Sequence, residues 1–206
     1  MKKLILGATG AIGSALAKKI AADGGQVHLV ARDESSLSDL ASELNASFTT
    51  CDVLEDNFSE KILSDLGDAP IDGLAYCVGS IDLKPLKLSK KNDFLNCFNL
   101  NLISATEIIR ASFNKLKENK GSIVLFSTVA ARKGFTNHSI ISSAKAAVEG
   151  LTVALAAEFS PSVRVNCIAP SLSKSKMGEF LLKNEKIAEG IAKLHPLKRL
   201  GEGSDF

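Results

Sequence analysis

Two hydrophobic patterns alternate along this chain. Short stretches at 4–6, 27–31, 47–53, 71–79, 122–127 and 163–169 are apolar on consecutive residues and read as strands. Between them apolar residues recur at helical spacing. Ile12, Leu16 and Ile20 form one face, and Leu37, Leu40, Ala41 and Leu44 form another. Longer helical patterns cover 93–117 and 139–158. Gly24-Gly25 stops the first helix, and Asp33 can cap the second. Strands without polar alternation suit a parallel sheet covered on both faces. Right-handed crossovers then give a doubly wound α/β sheet in three α/β/α layers, with strand order 3-2-1-4-5-6.

The first strand runs into Gly7-x-x-Gly10-x-x-Gly13, with Thr9 and Ile12 in the same turn. Glycines permit the tight turn and let the backbone approach a pyrophosphate. The helix behind them offers unpaired N–H groups and a partial positive charge. A strand before, an amphipathic helix after and a second strand about twenty residues on place this motif in a dinucleotide-binding context of the Rossmann type. The second strand ends at Ala31-Arg32-Asp33. An acidic residue at its tip would hold the ribose hydroxyls of NAD, whereas Arg32 can pair with the 2′-phosphate of NADP. NADP is therefore favoured over NAD. Asp33 either caps the next helix or repels that phosphate.

Composition narrows the function classes. Of 206 residues, 25 are basic and 23 acidic, for a net charge of +2, which argues against nucleic acid or an anionic membrane as partner. The apolar run after Lys2-Lys3 stops at Gly7, too soon for a secretory segment. No stretch reaches the ~18 consecutive apolar residues of a membrane span. The four cysteines form no C-x-x-C pair and share no ligand spacing with the three histidines, so no metal site is expected. They read as free thiols in a reducing, cytoplasmic setting. A single domain over 1–206 is expected, with 171–195 as its substrate-loop segment and 171–176 as a mobile loop.

The motifs together resemble the short-chain dehydrogenase/reductase family along nearly the whole chain. Gly7-Ala8-Thr9-Gly10-Ala11-Ile12-Gly13 resembles its glycine motif. Cys51-Asp52-Val53 resembles the segment that contacts the adenine. Tyr76-Cys77-Val78-Gly79 stands where the family has Asn-Asn-Ala-Gly, retaining only the glycine. Asn101-Leu102 resembles the Asn-Leu that supports the active-site helix and a proton-relay water. Residues 121–128 resemble the strand ending in the catalytic serine, with Thr128 in its place and Ser127 before it. Lys145 matches the catalytic lysine, and 164–170, ending in Pro170, matches the segment before the substrate loop. The resemblance also implies a homodimer or homotetramer through helices 93–117 and 139–158. The family's last helix and strand are not in this sequence.

One departure bears on chemistry. The family's tyrosine lies four residues before its lysine, and here that position is Ile141. Reducing a ketone creates an alkoxide that needs a proton donor, and tyrosine serves when a lysine ammonium lowers its pKa. Losing a positioned general acid costs ~10²–10⁴ in rate. Lys145 can still hold nicotinamide-ribose hydroxyls, and a hydroxyl at 128 can bond the substrate oxygen. His138 has a suitable intrinsic pKa to replace the acid, or else Asn137 caps the helix and His138 sits in its first turn. The expected activity is NADP-dependent hydride transfer to or from a small carbonyl or alcohol. The alternative is a nucleotide-binding protein without turnover, a redox sensor or assembly partner. An extended nucleotide-sugar epimerase fits the glycine spacing but leaves too little chain for a sugar-binding domain.

Overall fold

The computed structural model describes residues 1–175, 178–179 and 185–206. Six strands form one sheet: β1 (Lys2–Leu6), β2 (Gln26–Ala31), β3 (Ser47–Thr50), β4 (Ile71–Tyr76), β5 (Ser122–Phe126) and β6 (Arg164–Ile168). All pairings are parallel, in the order β3-β2-β1-β4-β5-β6. This is the doubly wound order read from the alternation. The helices are α1 (Ala11–Ala22), α2 (Glu34–Leu44), α3 (Phe58–Leu66), α4 (Lys91–Phe98), α5 (Ser104–Glu118), α6 (Ser139–Phe159) and α7 (Glu185–Leu194).

Strand β1 shows why consecutive residues are apolar. Leu4 and Leu6 enter a core shared with Ile108 and Val148, while Ile5 enters a second core with Leu29 and Leu37. Successive side chains of a strand point to opposite faces, and here both faces are covered. Each of the three residues is fully buried.

Three expectations need correction. The third and fourth strands stop at Thr50 and Tyr76, so 51–53 and 77–79 belong to the turns beyond the sheet. Only one more ladder bond follows each strand, from the Cys51 N–H to Ala31 and from the Cys77 N–H to Leu6. Second, α3 escaped the sequence reading, although Phe58, Ile62 and Leu66 recur every fourth residue and are all buried. Third, the pattern at 93–117 is not one helix. A π-helical turn, Asn99–Ile103, divides α4 from α5. Ser104 Oγ donates to the Asn99 carbonyl at 2.9 Å, and Tyr76 Oη donates to the Leu100 carbonyl at 2.7 Å. These side chains satisfy carbonyls that the widened turn leaves available.

The segment 171–195 contains α7, and Ser173 forms a parallel bridge with Gly201. Lys176, the end of the expected mobile loop, lies outside the described residues. Helix α6 is long and apolar enough to cross a membrane by length and composition alone. In this structure it packs against β5 and β6.

At the β2–β3 side, polar groups form a directed chain. Lys2 Nζ donates to Ser47 Oγ, which lies 2.9 Å from His28 Nδ1, and His28 Nε2 lies 3.0 Å from Thr49 Oγ1. Thr49 spends its single hydrogen on Asp65 Oδ2 at 2.7 Å. Thr49 must therefore accept from His28 Nε2–H, leaving Nδ1 to accept from Ser47. The ring is neutral, and burial, with a smaller push from Lys2, lowers its pKa to about 4. An unfolded histidine titrates near 6.5. Between these values the unfolded chain binds more protons, so stability falls as pH falls, by up to about 3 kcal/mol. Thermal unfolding of the wild type and His28→Gln checks this. The advantage of the wild type should shrink between pH 7 and pH 5, and a pH-independent difference would refute it.

Candidate active site

The β1–α1 turn is built around close backbone approaches. Gly7 has φ +77°, and a Cβ there would lie 2.9 Å from the Cys77 carbonyl. A Cβ on Gly13 would lie 2.3 Å from the Gly7 oxygen, so only glycine lets α1 start this close to the turn. Gly10 is the N-cap of α1, with no side-chain capping bond, leaving the first N–H groups of the helix to a ligand. Thr9 and Ile12 are half-buried in the same turn, and Gly10 is exposed. This arrangement fits a pyrophosphate.

The ends of β2 and β3 meet beside it. Asp33 Oδ1 accepts from the Ser36 N–H at 2.8 Å, so of the two roles open to it Asp33 takes the cap. Arg32 is exposed, and its Nη1 lies 3.5 Å from Asp52 Oδ2. Asp52 also accepts from the Leu54 N–H, and Val53 is buried in the core below.

The second half of the site gathers at Gly79. A Cβ there would lie 2.9 Å from Asn101 Oδ1 and 3.2 Å from Lys145 Nζ. Three residues read separately from the sequence thus converge on one point, with Val78 beside them. Asn101 sits in the π-helical turn, and its Nδ2 donates to the Cys97 carbonyl at 2.9 Å. Its Oδ1 is buried without a partner, an acceptor awaiting a donor. Lys145 Nζ donates to the Phe126 carbonyl at 2.8 Å. Burial pulls the lysine pKa down to about 8, against a smaller upward influence from Cys97, Cys167 and Cys77. Burial also pushes the Cys97 thiol up to about 11. All four cysteines are free, and Cys51 and Cys97 are buried.

The two hydroxyls after β5 part company. Ser127 is buried, and its Oγ lies 3.2 Å from the Lys145 carbonyl and 2.8 Å from Glu149 Oε1. Thr128 is half-buried, and among the described residues its Oγ1 accepts only a 3.3 Å bond from the Ala130 N–H. Thr128 is thus the hydroxyl free to meet a ligand, while Ser127 ties strand to helix. The Pro170 carbonyl accepts from the Val129 N–H at 2.9 Å, joining the segment after β6 to this corner.

Ile141 is buried in an apolar cluster with Cys97, Ile140 and Ala144 against Phe94 and Phe98. Its side chain carries no ionisable group. His138, not Asn137, is the N-cap residue of α6, and it makes no side-chain cap bond. Asn137 instead takes a left-handed φ of +66°. His138 Nδ1 lies 2.7 Å from the Thr136 carbonyl, so Nδ1 carries the hydrogen. Nε2 then donates only when the ring is a cation.

Two groups were missed at the sequence level. Glu149 accepts from both Ser127 and Arg132 Nε, the latter at 2.7 Å. Its signal was present, since it is one of only two acids in the apolar α6. Ser80 donates to Asp82 and accepts from Asn101 at 3.4 Å, contacts that sequence spacing does not reveal.

Residues 7–206 match the family model described as enoyl-(acyl carrier protein) reductase. A chloroplastic tropinone reductase homolog of Arabidopsis thaliana is 31% identical over 98% of this chain, which spans 66% of that protein. L-xylulose reductase of Bos taurus is 29% identical over 98% of the chain and 83% of its own length. A Brucella melitensis structure described as short-chain dehydrogenase/reductase, glucose/ribitol dehydrogenase, superposes with a TM-score of 0.92 at 27% identity, covering 98% of this chain and 84% of that one.

Gly79→Ala tests the convergence. The added methyl meets Asn101 and Lys145 together, an overpacking that costs about 1–3 kcal/mol. The variant should unfold several degrees lower and bind a nicotinamide nucleotide at least about tenfold more weakly. Wild-type melting and affinity would contradict the geometry.

Proposed function

The chain belongs to the short-chain dehydrogenase/reductase family, and on that premise we propose that it is an NADP-dependent oxidoreductase transferring hydride between the nicotinamide and a small carbonyl or alcohol. The observation that carries this reading is the meeting of Asn101 Oδ1 and Lys145 Nζ at Gly79. A protein that only bound nucleotide would have less need of Lys145, Asn101 and a hydroxyl at Thr128 all together. The nicotinamide supplies the hydride when the cofactor is bound. The chain's own residues bind and orient. The turn from Gly7 to Gly13 takes the pyrophosphate on the free N–H groups of α1. Arg32 takes the 2′-phosphate, with Asp52, Val53 and Val78 toward the adenine side. Lys145 holds the ribose hydroxyls, supported by Asn101. Thr128 bonds the substrate oxygen. His138, as an imidazolium, or water supplies the proton.

A second reading is a nucleotide-binding protein without turnover, and the burial of Ile141 favours it. Pairing of two copies through 93–117 and 139–158 suits the exposed Ile103 and Val153, the latter 72% exposed. Four free thiols suit a cytoplasmic setting.

Titration with NADPH and NADH, followed by a carbonyl screen for NADPH oxidation, tests the reading. NADPH should bind more tightly than NADH. Arg32→Ala should weaken NADPH by about 10- to 100-fold, the worth of one charge-assisted bond, and leave NADH nearly unchanged. No binding of either nucleotide would sink the reading, and tight binding with no turnover on any carbonyl would favour the second one. Ile141→Tyr should raise turnover by about 10²–10⁴. A folded Ile141→Tyr protein with no gain would show that more than the phenol is missing.

A further inference from the structure

The two connections that frame the site concentrate positive charge. The β4–α4 connection and the first residue of α4 carry Lys84, Lys87, Lys90 and Lys91, and the β5–α6 connection carries Arg132 and Lys133. A backbone bond joins them, from the Lys84 N–H to the Asn137 carbonyl at 2.9 Å. Three carboxylates offset these six cations. Asp93 pairs with Lys84 and Glu149 with Arg132, both at 2.7 Å, and Asp82 is held by Ser80. The local excess is larger than the formal net charge of +2 carried by the whole chain. Lysines on a loop are ordinarily a solvated face, so charge alone assigns nothing.

Between the connections lies a cleft of about 400 Å³, walled by Leu86, Lys133, Phe135, His138, Ser139 and Ser142 among others, with no acid in its lining. Three independent features of this cleft point to an anion. The Lys133 side chain makes no hydrogen bond or ion pair among the described residues. Helix α6 starts here without a side-chain cap, so the positive end of its dipole lies at the cleft. Ser139 Oγ, in the first residue of that helix, is buried and has no partner. A buried hydroxyl without a partner is costly, and a ligand oxygen would satisfy it. The remaining wall is apolar. Leu86 and Phe135 are 66% and 45% exposed, surface that a protein ordinarily covers when it binds.

We propose that the substrate of this site is a carbonyl or alcohol bearing an anionic group, carboxylate or phosphate, on an apolar body. The anion sits at the start of α6 against Ser139 and Lys133, and the apolar body lies on Leu86 and Phe135. The substrate role of the cleft rests on the reductase reading, whereas anion binding there does not.

Calorimetric titration of the intact protein with octanoate, octyl phosphate and 1-octanol at one ionic strength tests this, with NADPH titrated in parallel. At least one of the two anions should bind about tenfold or more tightly than the alcohol, and the tighter one identifies the headgroup. Lys133→Gln and Ser139→Ala should each weaken that anion by about three- to tenfold while leaving NADPH affinity within about twofold. Equal binding of anion and alcohol, no binding of either anion, or no effect of Lys133→Gln would overturn the proposal. If the anion preference holds but NADPH does not bind, the reductase reading fails and the anion site stands. If NADPH binds without any anion preference, the reverse holds.

Discussion

The bond from Lys145 Nζ to the Phe126 carbonyl is the contact on which the rest of the site depends. It inserts an ammonium between α6 and the end of β5, where burial lowers its pKa to about 8. Taking an ammonium out of water is expensive unless its hydrogens find acceptors. One hydrogen finds Phe126, and the others face the space at Gly79. Helix and strand are then locked twice more, through Ser127 to the Lys145 carbonyl and to Glu149. Glu149 is in turn fixed by Arg132. The strand therefore ends with Ser127 turned inward and Thr128 turned out, which decides which hydroxyl can meet a substrate.

The constraint reaches the neighbouring π-helical turn through Gly79. Any side chain there would displace both Asn101 and Lys145. Asn101 reaches this point because the helix carrying it widens into a π turn, which Tyr76 stabilises by bonding the Leu100 carbonyl. The only tyrosine in the chain is thus a structural group. Burial raises its pKa far above the usual range, so it is held neutral. The widening leaves Asn101 Oδ1 unpaired beside a lysine that still has hydrogens to give.

Much of this was legible in the sequence, for identifiable reasons. The strand order follows from strands buried on both faces alternating with amphipathic helices, because that pattern admits few topologies. Gly7, Gly10 and Gly13 were legible because a close backbone approach excludes every other residue. Asn101, Lys145 and Gly79 were named separately, but their convergence was not visible, since it depends on crossovers and on a π turn that has no simple periodic signature. Helix α3 was missed although Phe58, Ile62 and Leu66 carried its period, because a nine-residue helix holds only three such repeats. Ser127 and Thr128 were indistinguishable as adjacent hydroxyls. Only their partners separate them.

Ile141, at the position where the resemblance places a phenol, has a physical logic of its own. Ile141 joins Ile140, Ala144 and Cys97 in a dry contact between α6 and α4, packed by Phe94 and Phe98. An isoleucine buried there contributes about 1.5–3 kcal/mol through the area it removes from water. A phenol in the same place would have to find a hydrogen-bond partner or lose that gain. Ile141 therefore tightens the helix pair with an apolar contact. Any acid must then come from outside the apolar cluster. At the N-cap of α6, the ionisable side chain in the cleft wall is His138, whose Nδ1–H is committed to the Thr136 carbonyl. Only its cationic form can release a proton from Nε2. The proposed anion at the start of α6 and this imidazole then lie at the same end of the same helix.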